Sequence, residues 1–232
     1  MAIDVGKRYD EYWQSRDLQR LRARTEVRVA LVLDLLSLES TTRPTENPRP
    51  RLLDIGCGMG WSLEKYVDAG YNASGIDVSS FAVEKVRAQG LQAEVHDLER
   101  QPLTGEYEIL VALEVLEHLA DPLSVLLQMK EVLTDSGRIV VSLPNEFHLL
   151  RRLEILFGME AIGGHNDPHL RYFNRRLANR LFDDAALRIL GQKSDSVVPL
   201  RYRLLRKCSG PLLKLWPGLF AISDVYLLAP DK

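Results

Sequence analysis

Long apolar runs are missing from this chain of 232 residues. No stretch approaches the roughly 18 consecutive apolar residues that a helical membrane span requires. The opening Met1 to Arg8 has no apolar run behind Lys7 and Arg8, so it does not read as a signal peptide, and a cytoplasmic address is expected. Cysteine is scarce: Cys57 and Cys208 lie far apart without metal-ligand spacing, which excludes a disulfide framework and a thiolate zinc site. A surplus of one charge is also missing. Thirty basic residues against 32 acidic ones leave a net charge of −2, which argues against nucleic acid as a partner. Internal repeats and low-complexity segments are absent. What remains, 46% hydrophobic and 27% charged, is the composition of a globular protein with a buried core.

Residues 7 to 40 have helical spacing, with Tyr9, Tyr12 and Trp13 followed by Val29, Val32, Leu33 and Leu36. The stretch from Ser40 to Pro50, rich in proline, reads as a loop. From there short apolar runs alternate with helical segments. Strands are expected at Arg51–Ile55, Ala73–Asp77, Leu91–Val95, Tyr107–Leu113 and Arg138–Leu143, with helices at Ser62–Ala69, Ser79–Gln89 and Pro122–Leu133. That alternation predicts right-handed βαβ crossovers and a mostly parallel sheet. After Pro144 it breaks: helices are expected at Phe147–Phe157 and Arg175–Leu187, strands at Ile189–Val198 and Leu219–Leu228.

The segment Leu53-Asp54-Ile55-Gly56-Cys57-Gly58-Met59-Gly60-Trp61 follows the first strand. Three alternate glycines allow a tight turn and close approach of a ligand to the backbone. A dinucleotide fingerprint needs its third glycine one position later, where Trp61 stands, so a nucleotide-dependent oxidoreductase is disfavoured. Asp77 ends the second strand, where one carboxylate can accept from both hydroxyls of a ribose; the alternative is a helix cap ahead of Ser79. Asp97, after the third strand, is placed to accept from an adenine amine.

Together these residues resemble the class I S-adenosylmethionine-dependent methyltransferase family, strongly from about Leu52 to Leu143. The resemblance implies an α/β, Rossmann-like doubly wound sheet of seven strands, the last antiparallel, with N-terminal helices and a helical lid insertion. It implies one domain over 1–232: a helical cover (1–45), a cofactor-binding core (46–144), a lid (145–174) and the C-terminal part of the sheet (175–232). S-adenosylmethionine is the implied cofactor. Gly56, Cys57, Gly58 and Gly60 would cradle its methionine end with Asp54 supporting the turn. Asp77 would bind the ribose, Val78 would pack on adenine, Asp97 and Leu98 would read the adenine edge, and Leu113 would line the site.

Glu114-Val115-Leu116-Glu117-His118 resembles the E-x-x-E-H segment of small-molecule methyltransferases, including those of the ubiquinone pathway. Ser142-Leu143-Pro144-Asn145, His169-Leu170-Arg171-Tyr172-Phe173 and Tyr9-Asp10-Glu11-Tyr12-Trp13 resemble stretches of a bacterial branch acting on saccharides, lipid-linked intermediates and other metabolites. The expected function is therefore O-methylation of a small-molecule acceptor. A hydroxyl acceptor must lose a proton, and imidazole titrates near neutrality, so His118 and then His169 are the expected bases. Two readings of Glu114, Glu117, His118 and His169 compete. Plant small-RNA 2′-O-methyltransferases resemble this pattern and hold a divalent ion with two glutamates and two histidines; alternatively the glutamates order the loop and meet the cofactor's amino group. The reading adopted has no metal. Two alternatives to the small-molecule enzyme stay open, a non-catalytic cofactor-binding partner subunit and a metal-dependent 2′-O-methyltransferase of RNA ends. Basic and apolar residues interleave at 200–219, which offers contact with a membrane surface or, as the favoured reading, a solvated helix. The lid helix is expected to pack on the core. The oligomeric state is left open.

Overall fold

The computed structural model describes residues 4–39, 48–159, 169–198, 202 and 209–231. Two helices come first, α1 (Val5–Ser15) and α2 (Leu18–Ser37). The helical stretch expected from 7 to 40 divides in two because Asp17 accepts from the Arg20 N–H at 3.1 Å, as Asp4 does from Lys7 at 3.3 Å. An aspartate that satisfies the free N–H groups of a new first turn competes with helix continuation.

The strands are β1 (Arg51–Ile55), β2 (Asn72–Asp77), β3 (Ala93–Val95), β4 (Tyr107–Leu113), β5 (Leu133–Pro144), β6 (Leu187–Ser196) and β7 (Ala221–Pro230). They form one sheet in the order β3-β2-β1-β4-β5-β7-β6, with β7 antiparallel to both neighbours. The crossovers carry α3 (Trp61–Asp68), α4 (Ser80–Ala88), α5 (Pro122–Glu131) and α7 (Arg175–Asp184). Between β5 and α7 lies α6 (Leu149–Leu156); α8 (Gly210–Leu215) and α9 (Pro217–Phe220) precede β7.

Alternation along each strand divides the core into two layers. Leu52, Ile109, Val111, Val140, Val225 and Leu227 face α2, α3 and α4. Leu53, Leu110, Ala112, Ile139, Val141 and Leu228 face α5 and α7. Arg175 of α7 clasps the second layer to β7, with Nε and Nη2 3.0 and 2.6 Å from the buried Asp224 carboxylate.

Several boundaries differ from the expectation. The helix expected to reach Leu187 ends at Asp184, and Ala186 takes a left-handed φ of 50°, turning the chain into β6 at Leu187. The last strand begins at Ala221, because α9 occupies Pro217–Phe220. No residue of α6 is buried, so it does not pack on the core; Leu156 and the following Phe157 are 75% and 74% exposed. Of 200–219, residues 200, 201 and 203–208 lie outside the described residues, and α8 with most of α9 occupies nearly all of the rest. No helix among the described residues is long and apolar enough to cross a membrane.

β1 lies between β2 and β4, so the chain reverses its direction of travel across the sheet there. In open parallel sheets the crevice beyond such a point, at the strands' carboxyl ends, is where ligands bind.

Candidate functional site

A cavity of about 640 Å³ opens at that crevice. Its floor is the turn after β1. Gly56 and Gly58 have φ of +71° and +49°, and a Cβ would lie 2.5 Å from Val115 Cγ2 at the first and 2.5 Å from the Trp13 ring at the second. Neither position admits a side chain without displacing a neighbour. The turn is pinned by Gly56 and Cys57 N–H groups donating to Ile76 O at 2.8 and 3.0 Å. Ser62 Oγ donates to Asp54 Oδ2 at 2.5 Å across its base. Burial pushes the Asp54 carboxyl up to about 7, with the Ser62 hydrogen bond opposing and the Asp77 charge adding to the rise.

Asp77 does two jobs at the end of β2. Oδ2 accepts from Gly58 N and Oδ1 from Ser79 N, both at 2.8 Å, so the carboxylate ties the glycine turn to the start of α4. Each oxygen retains a second acceptor site. The helix cap itself is Ser79, whose Oγ accepts from Ala82 N at 3.1 Å. Burial pushes the Asp77 carboxyl above its ordinary range, against hydrogen bonds from Ser79 and Gly58.

Val78, Asp97, Leu98 and Leu113 also line the cavity. Asp97 Oδ1 accepts from Glu99 N at 3.0 Å, and Oδ2 lies 3.5 Å from Arg100. Two expected residues sit differently. Gly60 is not among the lining residues; its Cβ would meet Val86 Cγ2 at 2.9 Å, so its smallness serves packing against α4. Cys57 lines the cavity, with its thiol against Gly75, where burial pushes it well above the ordinary thiol range.

The far wall comes from the end of β4 and the segment after β5. Glu114 has a left-handed φ of 57° and is fully engaged: Arg28 Nη2 at 2.8 Å, and Ser142 Oγ donating to Oε1 at 2.9 Å. Glu117 is completely buried, and neither carboxylate oxygen has a hydrogen-bond partner. Its backbone carbonyl accepts from Leu170 and Arg171 N–H at 2.8 and 3.0 Å, and the Arg171 guanidinium donates to Ala120 O. That anchoring brings His169 to His118, ring centroids 4.8 Å apart. Glu117, His118 and His169 each place one ligand atom within 4.8 Å of the others; Glu114 does not join them. Glu146, only 6% exposed, holds His169 Nδ1 with Oε1 at 3.0 Å and faces Arg151 Nε with Oε2 at 3.4 Å.

A roof closes over the floor from α1. Asp10 accepts from Ser79 Oγ, Ser80 Oγ and Phe81 N at 2.6, 3.1 and 3.0 Å, fastening α1 to the first turn of α4. Trp13 then covers Gly58 and meets Trp61 edge-on at 6.0 Å; Tyr9 meets His118 edge-on at 6.0 Å. Sequence reasoning missed Asp10, Arg28 and Glu146 as parts of the site. The only signal was that Asp10 and Glu146 lie in or beside segments already singled out.

The family model of a methyltransferase domain matches residues 19–192, most of the chain. A ubiquinone biosynthesis O-methyltransferase of Aeromonas salmonicida is 27% identical over 164 residues, 65% of this chain and 68% of that protein. Another, of Marinobacter nauticus, is 32% identical over 105 residues, 41% of this chain and 44% of its own length, so less than half of that relative is matched. The crystal structure of magnesium protoporphyrin IX methyltransferase from Synechocystis with bound S-adenosylmethionine superimposes with a TM-score of 0.63 at 15% identity, covering 99% of both chains. At that identity the likeness is one of fold, and the seven-stranded sheet with its antiparallel β7 is what the two share. With most of its length matched, the chain belongs to the methyltransferase-domain family of S-adenosylmethionine-dependent enzymes.

Proposed function

We propose that the chain transfers the methyl group of S-adenosylmethionine to an oxygen of a small-molecule acceptor. The observation that carries this reading is that one cavity is lined by both halves of the chemistry, a glycine turn braced by a buried aspartate and a Glu146–His169–His118 array.

In this reading the methionine end lies on Gly56–Gly58, with Asp54 supporting the turn and Trp13 above. The remaining acceptor sites of Asp77 take the ribose hydroxyls, Val78 packs on adenine, and Asp97 with Leu98 reads its edge. His118 and His169, which line the same cavity, would be the residues nearest the acceptor's chemistry. When bound, S-adenosylmethionine would supply a methyl carbon on a sulfonium leaving group, open to in-line displacement by the acceptor oxygen with S-adenosylhomocysteine and the methyl ether as products. Such an in-line displacement gains most from positioning. The acceptor's proton goes to imidazole, a contribution of about 10²–10⁴-fold in rate. Glu146 holds Nδ1 of His169, which directs proton uptake to Nε2. The relatives named as ubiquinone biosynthesis O-methyltransferases and the near-neutral net charge favour a small molecule over a nucleic acid.

A second reading is favoured by Glu117. Two buried carboxylate oxygens without hydrogen-bond partners, one of them 4.0 Å from His118 Nε2, suit a divalent ion beside two imidazoles. Glu117, His118 and His169 would hold it, and it would polarise the acceptor hydroxyl. Calorimetric titration with S-adenosylhomocysteine, before and after dialysis against a chelator, tests both. Micromolar binding is expected, and its absence overturns the methyl-transfer reading. Binding of Mg²⁺ or Mn²⁺ that Glu117→Gln abolishes moves the metal reading to the front.

A further inference from the structure

The cavity wall contributed by α2 is basic and incompletely neutralised. Arg20, Arg24 and Arg28 recur every four residues, which places them on one helix face, and all three line the cavity. Arg28 is partly engaged: Nη2 meets Glu114 at 2.8 Å, whereas its buried Nε has no partner. Neither Arg20 nor Arg24 has a carboxylate within ion-pairing distance among the described residues. Arg22, on another face of the same helix, pairs with Glu26 at 3.1 Å and Glu64 at 3.2 Å.

Arg24 is half-buried. Burial first, and then the charges of Arg20 and Arg28, push its guanidinium below the ordinary value, against Glu114 and Asp195. The acidic groups across the cavity do not relieve it: Glu146 and Glu154 each face Arg151 at 3.4 Å. A cation drawn partly out of water beside two like charges is disfavoured by stability alone. A planar guanidinium with free donors is suited to a carboxylate or phosphate, which it can grip with two parallel hydrogen bonds.

We propose that Arg20 and Arg24 form a binding site for an anionic group, carboxylate or phosphate, carried by the methyl acceptor. The inference rests on the methyl-transfer reading above and narrows its substrate class to anionic small molecules. The group would sit against α2 while the acceptor hydroxyl reaches the histidines that line the same cavity. The cofactor's own methionine carboxylate has the same chemistry, so the test must separate the two sources.

The experiment saturates the full chain with S-adenosylhomocysteine and titrates it calorimetrically with benzoate, its neutral isostere benzamide, and inorganic phosphate. Failure of S-adenosylhomocysteine itself to bind counts against the methyl-transfer reading, and is seen before any anion is added. With the cofactor product in place, benzoate or phosphate is expected to bind at least tenfold tighter than benzamide. Arg24→Gln and Arg20→Gln are each expected to erase most of that preference, while Arg22→Gln, which removes the same charge outside the cavity, preserves it. Equal binding of benzoate and benzamide, no anion binding at millimolar concentration, or a preference that survives Arg24→Gln overturns the proposal. In a parallel titration Arg24→Gln is expected to leave the affinities for S-adenosylhomocysteine and methylthioadenosine, which lacks the amino-acid end, unchanged. A loss confined to S-adenosylhomocysteine assigns Arg24 to the cofactor's carboxylate and overturns the acceptor assignment.

Discussion

Asp54→Asn should stabilise the ligand-free protein at alkaline pH and have far less effect in mild acid. Asp54 is 1% exposed, and its carboxyl is displaced from 3.8 to about 7, chiefly by burial. A carboxyl raised on folding binds its proton more tightly in the folded state, so stability falls as pH rises from about 4 through 7. One pKa unit corresponds to about 1.4 kcal/mol, so the whole penalty is on the order of 4 kcal/mol, most of which develops between pH 5 and 8. Asparagine stays neutral throughout, and its carbonyl can still accept from Ser62 Oγ. Its amide adds a buried donor, a fixed cost of about 1 kcal/mol that does not vary with pH. The difference between variant and wild type should therefore shift by about 2–3 kcal/mol in the variant's favour between pH 5 and pH 8. For a chain of this size 1 kcal/mol moves the midpoint by about 2–4 °C, giving a shift of roughly 5–10 °C. Thermal unfolding followed by circular dichroism at the two pH values measures it directly. A pH-independent difference would show that Asp54 is ionised in the folded protein at ordinary pH, and that the turn tolerates its charge.

Asp77→Ala should weaken S-adenosylhomocysteine binding by about 1.5–3 kcal/mol, the worth of charge-assisted hydrogen bonds; unchanged affinity in calorimetry removes Asp77 from the ribose. Glu146→Gln keeps the shape of the His169 contact but removes its charge. It should leave that affinity intact and lower kcat with a displaced pH–rate profile, whereas equal rates at every pH mean that Glu146 orients nothing the reaction uses. Arg175→Ala strands the 2% exposed Asp224 without its guanidinium and should cost about 3–5 kcal/mol; urea unfolding showing less than 1 kcal/mol would mean that the clasp is dispensable.

The parts of the fold written in local pattern were readable without coordinates. Alternation of apolar runs with helical segments locates β1 to β5, and the glycine turn marks where the crevice lies, because both depend on neighbours in sequence. Parts set by distant partners were not readable. Glu114 looks like a free carboxylate in its segment, yet Arg28, 86 positions earlier, and Ser142, 28 positions later, occupy it. Asp10 acquires its role only when α1 reaches Ser79, 69 positions on. Periodicity located α6 but not its surroundings: its apolar residues repeat at helical spacing, yet none of them is buried. For the histidines, the resemblance could suggest that His118 and His169 converge, but not what brings them together. Their approach to 4.8 Å depends on Glu117's carbonyl receiving Leu170 and Arg171.

The roof makes the floor's glycine requirement a tertiary one as well as a conformational one. At Gly58 an alanine meets two separate obstacles. The left-handed φ of +49° costs an L residue about 1–2 kcal/mol. The added Cβ also lies 2.5 and 2.7 Å from two Trp13 ring atoms, and Trp13 belongs to a helix with no buried residue, held to α4 through Asp10. The clash is therefore relieved by lifting α1, not by deforming the sheet. Gly58→Ala should accordingly weaken S-adenosylhomocysteine binding and expose α1 to proteolysis near Arg16, while Trp13→Ala in the same chain should remove the steric part and leave the backbone cost. If the double variant is no closer to wild type in melting temperature than Gly58→Ala alone, the ring contact contributes nothing. The glycine would then be required for its dihedral angles and for the ligand's approach, and α1 would cover the site without being coupled to the turn beneath it.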